Sequence, residues 1–204
     1  MDIAGCRMSS QSPVLMVGID GPIGSGKTTL IDAICRRLRS RCEIAVIAND
    51  AFTVEDAAFL IRGETLAAER IRGVRTRGAS HVAMNLSAID DLKRTIPGLE
   101  VILVESDGDN LSARFTSALF HLTIYVVDVA AGDRLPRKGG AGIARSDLLV
   151  VNKMDLAPYV GASLSVMEQE IRKLRGPLPY AFTNLKTGNG IDRVVETIQA
   201  RKSA

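Results

Sequence analysis

The chain lacks tryptophan, and only 4% of its 204 residues are aromatic, so its core must be built from valine, isoleucine, leucine and alanine. Cysteine is scarce as well. Cys6, Cys35 and Cys42 are odd in number and show neither CxxC nor zinc-finger spacing, which predicts a reducing compartment and no disulfide framework. Cys35 falls within a helical pattern, where we expect a small core residue rather than a ligand.

The sequence also lacks a long apolar run and a strong excess of charge. No segment approaches membrane-spanning length, and the start, MDIAGCRMSSQSP, shows no signal-peptide pattern, so we expect a cytoplasmic protein. The formal net charge is +3, and the basic residues are scattered along the chain. This charge predicts neither a nucleic-acid nor a membrane partner, whereas it suits a small anionic ligand.

The remaining composition is that of an ordinary folded domain, with 46% apolar and 24% charged residues. At this length we expect one compact domain. Residues 1–12 are predicted to form a loose tail, and residues 13–204 are predicted to form that single domain.

The most informative segment is GPIGSGKT, residues 21–28, which follows an apolar run at 14–19 and precedes a helical pattern. A strand, a glycine-rich loop and a helix in this order predict a phosphate-binding P-loop rather than a turn that binds nothing. Glycines let successive backbone N–H groups curve around a phosphate. Lys27 is predicted to reach the outer phosphates and the Thr28 hydroxyl to bind Mg²⁺, at a helix N-terminus that favours anions. The predicted nucleotide-contacting residues of this segment are Gly21, Pro22, Ile23, Gly24, Ser25, Gly26, Lys27, Thr28 and Thr29.

Five further short apolar runs alternate with helical patterns. They cover residues 43–48, 101–104, 122–127, 148–151 and 180–182. Solid runs of this length are typical of strands buried on both faces. The sequence therefore predicts an α/β fold: a three-layer P-loop NTPase sandwich with a mostly parallel sheet and helices on both faces. The arginine-rich segment 70–81 fits either a short strand or a loop.

Acidic residues follow two of these runs, Asp50 after the second strand and Glu105 after the third. The carboxyl ends of parallel strands face the ligand, and a carboxylate beside a triphosphate needs a cation between them. We predict a magnesium site at Thr28, Asp50 and Glu105, with an unrelated surface acid as the alternative for each carboxylate. Lys27, Thr28 and Glu105 are the predicted catalytic residues, acting through positioning and charge neutralisation.

The motif Asn152-Lys153-Met154-Asp155 predicts guanine recognition, because it follows a buried strand well downstream of a P-loop. The Asp155 carboxylate can accept hydrogen bonds from the N1–H and amine of guanine, whereas adenine has no proton at N1. Asn152 is predicted to contact the other edge of the base, and the stem of Lys153 to lie over its face. Thr183 and Asn184 are candidates for a loop that closes over the base, with a plain strand-to-helix turn as the alternative.

Several longer segments carry a family resemblance: GPIGSGKTTL, NDAFTVEDAAFL, ESDGDNLSARF, FTNLKTGNG and above all residues 123–170. In them the chain resembles the urease accessory GTPase family, UreG. The related hydrogenase nickel-insertion GTPases share the plan but not the stretch 123–170. The resemblance implies a GTPase that uses GTP and Mg²⁺ and dimerises when loaded with GTP and Ni²⁺. It also implies that the protein works with other urease accessory proteins and releases nickel to apo-urease during urease maturation.

The chain departs from this family at the metal motif. A Cys-Pro-His motif carries nickel at the family's dimer face, and the matching positions here are Ala79, Ser80 and His81. His81 is thus the remaining candidate nickel ligand, and Arg75 and Arg77 add positive charge nearby. These changes motivate an alternative function, a divergent GTP-binding paralogue that carries no nickel and acts as a nucleotide-gated interaction protein.

Asp107 stands where the family has glycine after Glu105, and its charge near the γ-phosphate predicts slow hydrolysis. A small-molecule kinase using the same P-loop is a third possible function, but it leaves the Asn-Lys-Met-Asp motif without a role. His121 begins a predicted strand, where we expect a structural residue rather than a ligand.

Overall fold

The computed structural model describes residues 13–50, 55–75, 81–107, 119–133 and 140–203, without the side chains of Asp50 and His81. The predicted tail, 1–12, lies outside the described residues. The strands are β1 (Leu15–Asp20), β2 (Ile44–Asp50), β3 (Ile71–Arg75), β4 (Val101–Glu105), β5 (Leu122–Asp128), β6 (Leu148–Asn152) and β7 (Tyr180–Phe182). The helices are α1 (Lys27–Leu38), α2 (Glu55–Arg62), α3 (His81–Thr95), α4 (Ala141–Arg145), α5 (Leu164–Arg175) and α6 (Ile191–Lys202).

These strands form one seven-stranded sheet in the order β3-β2-β4-β1-β5-β6-β7, and every neighbouring pair is parallel. One face packs against α1, α2 and α6, and the other packs against α3, α4 and α5. The predicted three-layer α/β fold is confirmed. The order places β1, which leads into the P-loop, at the centre of the sheet, so polar residues at the carboxyl ends of β1, β2, β4 and β6 share one edge.

The buried strands explain this architecture directly. All five residues of β4 and of β6 are buried, as predicted for strands covered on both sides. Leu30, Ile31 and Ile34 form the buried face of α1. Cys35 on the same face is fully buried, and burial raises the pKa of its thiol, so its expected role as a core residue is confirmed.

Two details differ from the simple apolar pattern. Residues 71–75 form a strand, β3, in addition to the six predicted from apolar runs, and β3 pairs with β2. Residues 76–80 lie outside the described residues. Leu86 and Leu174 fit the apolar spacing of α3 and α5, but each is 41% exposed. Their neighbours Asn85 and Arg175 are buried instead. Each of these polar side chains has hydrogen-bond partners inside the protein, and that makes its burial possible.

His121 has the structural role expected of it. Its Nδ1 accepts a hydrogen bond of 2.9 Å from the backbone N–H of Met16, near the start of β1. Replacing His121 with phenylalanine should therefore lower the free energy of unfolding by about 1 kcal/mol, the typical net contribution of one such bond. Urea denaturation measures this loss. His121→Asn is the control, because an amide oxygen can accept the same bond, and equal stability of both variants would contradict the role.

Candidate nucleotide-binding site

A cavity of about 690 Å³ opens at the carboxyl edge of the sheet. The P-loop, the ends of β2 and β4, the first turn of α2 and the loops after β6 and β7 all contribute to it. Its lining includes these predicted site residues: Ile23, Gly24, Gly26, Lys27, Thr28, Thr29, Glu105, Asn152, Lys153, Asp155 and Asn184. The two motifs that the sequence places more than a hundred residues apart therefore face one space.

The P-loop has the backbone that a phosphate cradle requires. Gly21, Gly24 and Gly26 all have positive φ angles. A Cβ on Gly26 would lie 2.4 Å from Nδ2 of Asn152, and a Cβ on Gly21 would lie 2.0 Å from the carbonyl oxygen of Val126. Both conformation and space thus demand glycine at these two positions.

Lys27 is 7% exposed and crosses the mouth of the loop. Its ammonium donates hydrogen bonds to the carbonyl oxygens of Gly21 at 3.0 Å and Pro22 at 3.3 Å. Both acceptors are neutral, so these bonds hold the ammonium in place without neutralising it. Such a buried cation suits a phosphate anion as its partner.

The predicted magnesium site is partly described. Thr28 Oγ1 lies 2.7 Å from Oε1 of Glu105 and 3.0 Å from Oδ1 of Asp56. A hydroxyl has one hydrogen, so it can serve only one of these carboxylates at a time. The hydroxyl and the two carboxylates together offer the oxygen ligands that Mg²⁺ prefers, so these residues fit that ion. The third predicted ligand, Asp50, ends β2, but its side chain lies outside the described residues.

Asp56 is an addition to the magnesium ligands predicted from the sequence. It lies in the first turn of α2, next to a second acidic residue, Glu55. No pattern distinguishes the two carboxylates, because either would suit the start of a helix. Only the packing of α2 beside α1 shows that Asp56 is the one directed at Thr28.

The loop after β6 is tied to the P-loop by two side chains. Asn152 is 4% exposed, and its Nδ2 donates to the carbonyl oxygen of Ser25 at 3.0 Å. Its Oδ1 accepts hydrogen bonds from Thr183 Oγ1 at 3.2 Å and Leu185 N at 3.3 Å. Asn152 therefore connects three loops, whereas the sequence suggested a contact with the base edge.

Lys153 makes the second connection. Its Nζ donates to the carbonyl oxygen of Gly24 at 2.7 Å and forms an ion pair with Asp128 at 2.8 Å. Its backbone has a positive φ of 59°, which is unusual for a residue with a side chain. The ion pair and the hydrogen bond fix the loop in this conformation, with the stem of Lys153 at the cavity wall.

Asp155 lies on the rim of the cavity and is exposed, which leaves its carboxylate accessible to a base. Of the two residues predicted to close over the base, Asn184 lines the cavity and Thr183 does not. Thr183 is fully buried and supports Asn152 instead. Asn184 Oδ1 accepts hydrogen bonds from the backbone N–H groups of Lys186 and Thr187, so it also shapes its own turn.

A further contact connects the end of β4 to the start of the P-loop. Asp20 Oδ1 accepts hydrogen bonds from Ser106 Oγ at 2.7 Å and from the Gly21 N–H at 2.8 Å. Nothing in the sequence pattern indicated this pair. Asp107, the next residue, is half-buried and lines the cavity.

These features define a P-loop nucleotide-binding protein: β1 is central in the sheet, the glycine loop has a buried lysine, and a hydroxyl lies between two carboxylates. The model of the family described as "CobW/HypB/UreG, nucleotide-binding domain" matches residues 15–182. The chain belongs to this family.

Solved structures give the same fold. The match to hydrogenase maturation factor HypB from Archaeoglobus fulgidus has 23% identity and a TM-score of 0.74, and covers 93% of this chain and 90% of that chain. HypB from Helicobacter pylori in complex with nickel matches at 20% identity and a TM-score of 0.76, over 93% and 87% of the two chains. A LAO/AO transport system kinase matches at 24% identity and a TM-score of 0.62, over 96% of this chain and 61% of its own. At these identities the matches show the fold alone.

Proposed function

We propose that the protein is a GTP-binding and GTP-hydrolysing metallochaperone that assists nickel insertion during urease maturation. The observation that supports guanine nucleotide most directly is that the exposed residue Asp155 lines the same cavity as Lys27 and Thr28. Asn152 and Lys153 tie the loop that carries Asp155 to the P-loop. Family membership and the resemblance of residues 123–170 to UreG support the maturation role.

In this function each side chain has a defined task. Asp155 accepts hydrogen bonds from guanine, and Lys153 supports the loop that carries it. Lys27 and the P-loop N–H groups bind the β- and γ-phosphates. Thr28, Glu105 and Asp56 supply oxygen ligands to the metal site. A bound Mg²⁺ would neutralise charge that develops on the phosphates during hydrolysis. Asp107 adds negative charge at the phosphate end and should keep turnover slow without a partner.

The proposed partners are a second copy of the chain in the GTP-bound state, other urease accessory proteins and apo-urease. The proposed cargo is Ni²⁺, with His81 as its candidate ligand. Ala79 and Ser80 lie outside the described residues, as does the side chain of His81. Within the described ranges, no three histidine, cysteine, aspartate or glutamate side chains are grouped to hold a metal ion. The alternative, a nucleotide-gated interaction protein without nickel, is favoured by Ala79 in place of cysteine.

Equilibrium dialysis with Ni²⁺ and a non-hydrolysable GTP analogue tests the two versions. A nickel carrier should bind Ni²⁺ with micromolar affinity only when the analogue is present, and His81→Ala should abolish this binding. His121→Asn is a matched control, because His121 is the other of the two histidines in the chain. Absence of nucleotide-dependent binding in the unmodified protein would overturn the nickel role and favour the alternative.

Urease activation in a host without its own copy tests the biological role. The unmodified protein should restore urease activity, and Lys27→Ala should not, because its phosphate-binding cation is removed. Lys93→Ala, at an exposed position of α3, should restore activity as well as the unmodified protein does. Failure of the unmodified protein to restore activity would contradict the proposed role in urease maturation.

A further inference from the structure

Beside the nucleotide cavity lies a buried polar pair that the interactions above do not use. Asn49, the penultimate residue of β2, is 2% exposed, and Asn85 on α3 is fully buried. Nδ2 of Asn49 donates a hydrogen bond of 3.0 Å to Oδ1 of Asn85. The pair thus connects the strand that borders the cavity to the helix that begins at His81.

Asn49 Oδ1 is buried and has no hydrogen-bond partner among the residues that the structure describes. Asn49 also lines the nucleotide cavity. A buried carbonyl oxygen without a partner is unfavourable, so an occupant of the cavity that satisfies it gains affinity.

The chemistry of an amide oxygen restricts what that occupant is. Such an oxygen only accepts a hydrogen bond or coordinates a cation. The phosphate oxygens of a nucleotide are themselves acceptors, so they cannot satisfy it. Mg²⁺ in a nucleotide site keeps several bound waters, and each of these waters is a strong hydrogen-bond donor.

The position of Asn49 in the sheet agrees with this choice. Ala48 is the register partner of Glu105, so Asn49 lies one residue beyond the predicted magnesium ligand on the neighbouring strand. Asp155, which would bind the base, follows β6 on the far side of β1 in the strand order. The donors of guanine are therefore at the opposite side of the cavity from Asn49.

We propose that Asn49 is a positioning residue that senses magnesium: its Oδ1 accepts a hydrogen bond from a Mg²⁺-bound water, and its Nδ2 transmits this constraint to α3 through Asn85. The inference rests on the proposed function, since it requires GTP and Mg²⁺ in the cavity. Because the amide is planar and rigid, fixing its oxygen also fixes its nitrogen. Occupancy by Mg²⁺ and GTP then biases the position of α3, the helix whose first residue is the candidate nickel ligand.

Titration with a fluorescent GTP analogue, in excess Mg²⁺ and in EDTA, tests the metal contact. The unmodified protein should bind the analogue more tightly with Mg²⁺ than in EDTA. In Asn49→Ala this gain in affinity should be about tenfold smaller, the loss expected for one hydrogen bond to a charged partner. Affinity in EDTA should be the same for both proteins. Ser87→Ala, at an exposed position of α3, should keep the full gain.

Asn49→Asp separates the metal contact from packing, because it keeps an oxygen at the cavity and removes the donor to Asn85. This variant should keep the magnesium-dependent gain. Loss of the gain in Asn49→Asp as well as in Asn49→Ala, or an unchanged gain in Asn49→Ala, would overturn the proposal. No guanine nucleotide binding by the unmodified protein in either condition would overturn the proposed function too, and this distinguishes the two failures.

Hydrogen exchange of α3 amides tests the transmission to the helix. With the GTP analogue bound, Mg²⁺ should slow exchange in α3 of the unmodified protein and should have no such effect in Asn49→Ala or Asn49→Asp, which both lack the Nδ2 donor. An exchange rate in α3 that is insensitive to Mg²⁺ in the unmodified protein would overturn the relay.

Discussion

Asp155→Asn is expected to weaken GTP binding by about a hundredfold or more and to create binding of xanthosine triphosphate. The bond from the guanine amine to the carboxylate is lost and replaced by two opposed N–H donors, while the bond from N1–H loses its charged acceptor; each bond to a charged group contributes about 1.5–3 kcal/mol. An asparagine offers one acceptor and one donor, which match the N1–H and the 2-carbonyl of xanthine. The exchange of specificity follows from the exposed position of Asp155 on the cavity rim, where its carboxylate is free to meet a base edge.

Competition against a fluorescent guanine nucleotide by GTP, xanthosine triphosphate and ATP measures this exchange. Asp90→Asn, at an exposed position of α3, removes the same charge away from the cavity and should leave all three affinities unchanged. Retention of GTP binding by Asp155→Asn would show that the base is not read at this loop. Preferential binding of ATP by the unmodified protein would instead favour the hypothesis that the protein is a small-molecule kinase.

Arg175→Met is expected to lower the free energy of unfolding by about 3 kcal/mol or more, because several buried acceptors lose their donor and each such loss costs about 1–3 kcal/mol. The side chain is 4% exposed, and burial lowers the pKa of its guanidinium. It donates to the carbonyl oxygens of Ile143, Ser146 at 2.8 Å and Pro179 at 2.9 Å, and to the Ser146 hydroxyl at 3.1 Å. Methionine would leave these acceptors without a donor, since it fills the space but offers no N–H.

Urea denaturation measures this loss, and Arg172→Met on the same helix is the control. Arg172 is exposed, and its ion pair with Glu168 is solvated, so its replacement should leave stability nearly unchanged. Nucleotide affinity of the folded Arg175→Met protein should also be unchanged, because Arg175 holds the segments that lead into β6 and β7 at the edge opposite the cavity. Equal stability of the two variants would mean that the carbonyl groups find other donors.

The fold was predictable from the sequence because its signals are local. Solid apolar runs such as 101–104 and 148–151 identify buried strands without reference to the rest of the chain. The P-loop and the Asn-Lys-Met-Asp motif are equally local, and their positions after strands predict that they meet at one edge. β3 was the ambiguous element, since glycine and two arginines interrupt its apolar pattern.

The remaining features depend on packing between distant segments, which a local pattern does not contain. Asn85 and Arg175 occupy buried positions that apolar residues would fill equally well by spacing. Only the fold shows that Asn85 meets Asn49 and that Arg175 meets a group of carbonyl oxygens. Asn152 belongs to the same class, because its motif indicates the base and its contacts are with the P-loop and the loop after β7.

The position of β1 has a consequence for synthesis. β1 leaves the ribosome well before its sheet neighbours β4 and β5, which begin at Val101 and Leu122. The nascent chain must keep this apolar strand unpaired until both have emerged, and Asn152 must follow before the cavity closes. Nucleotide can therefore stabilise only a polypeptide that extends past Asn152, and products that terminate before β4 and β5 expose an apolar strand to proteases, aggregation and chaperones.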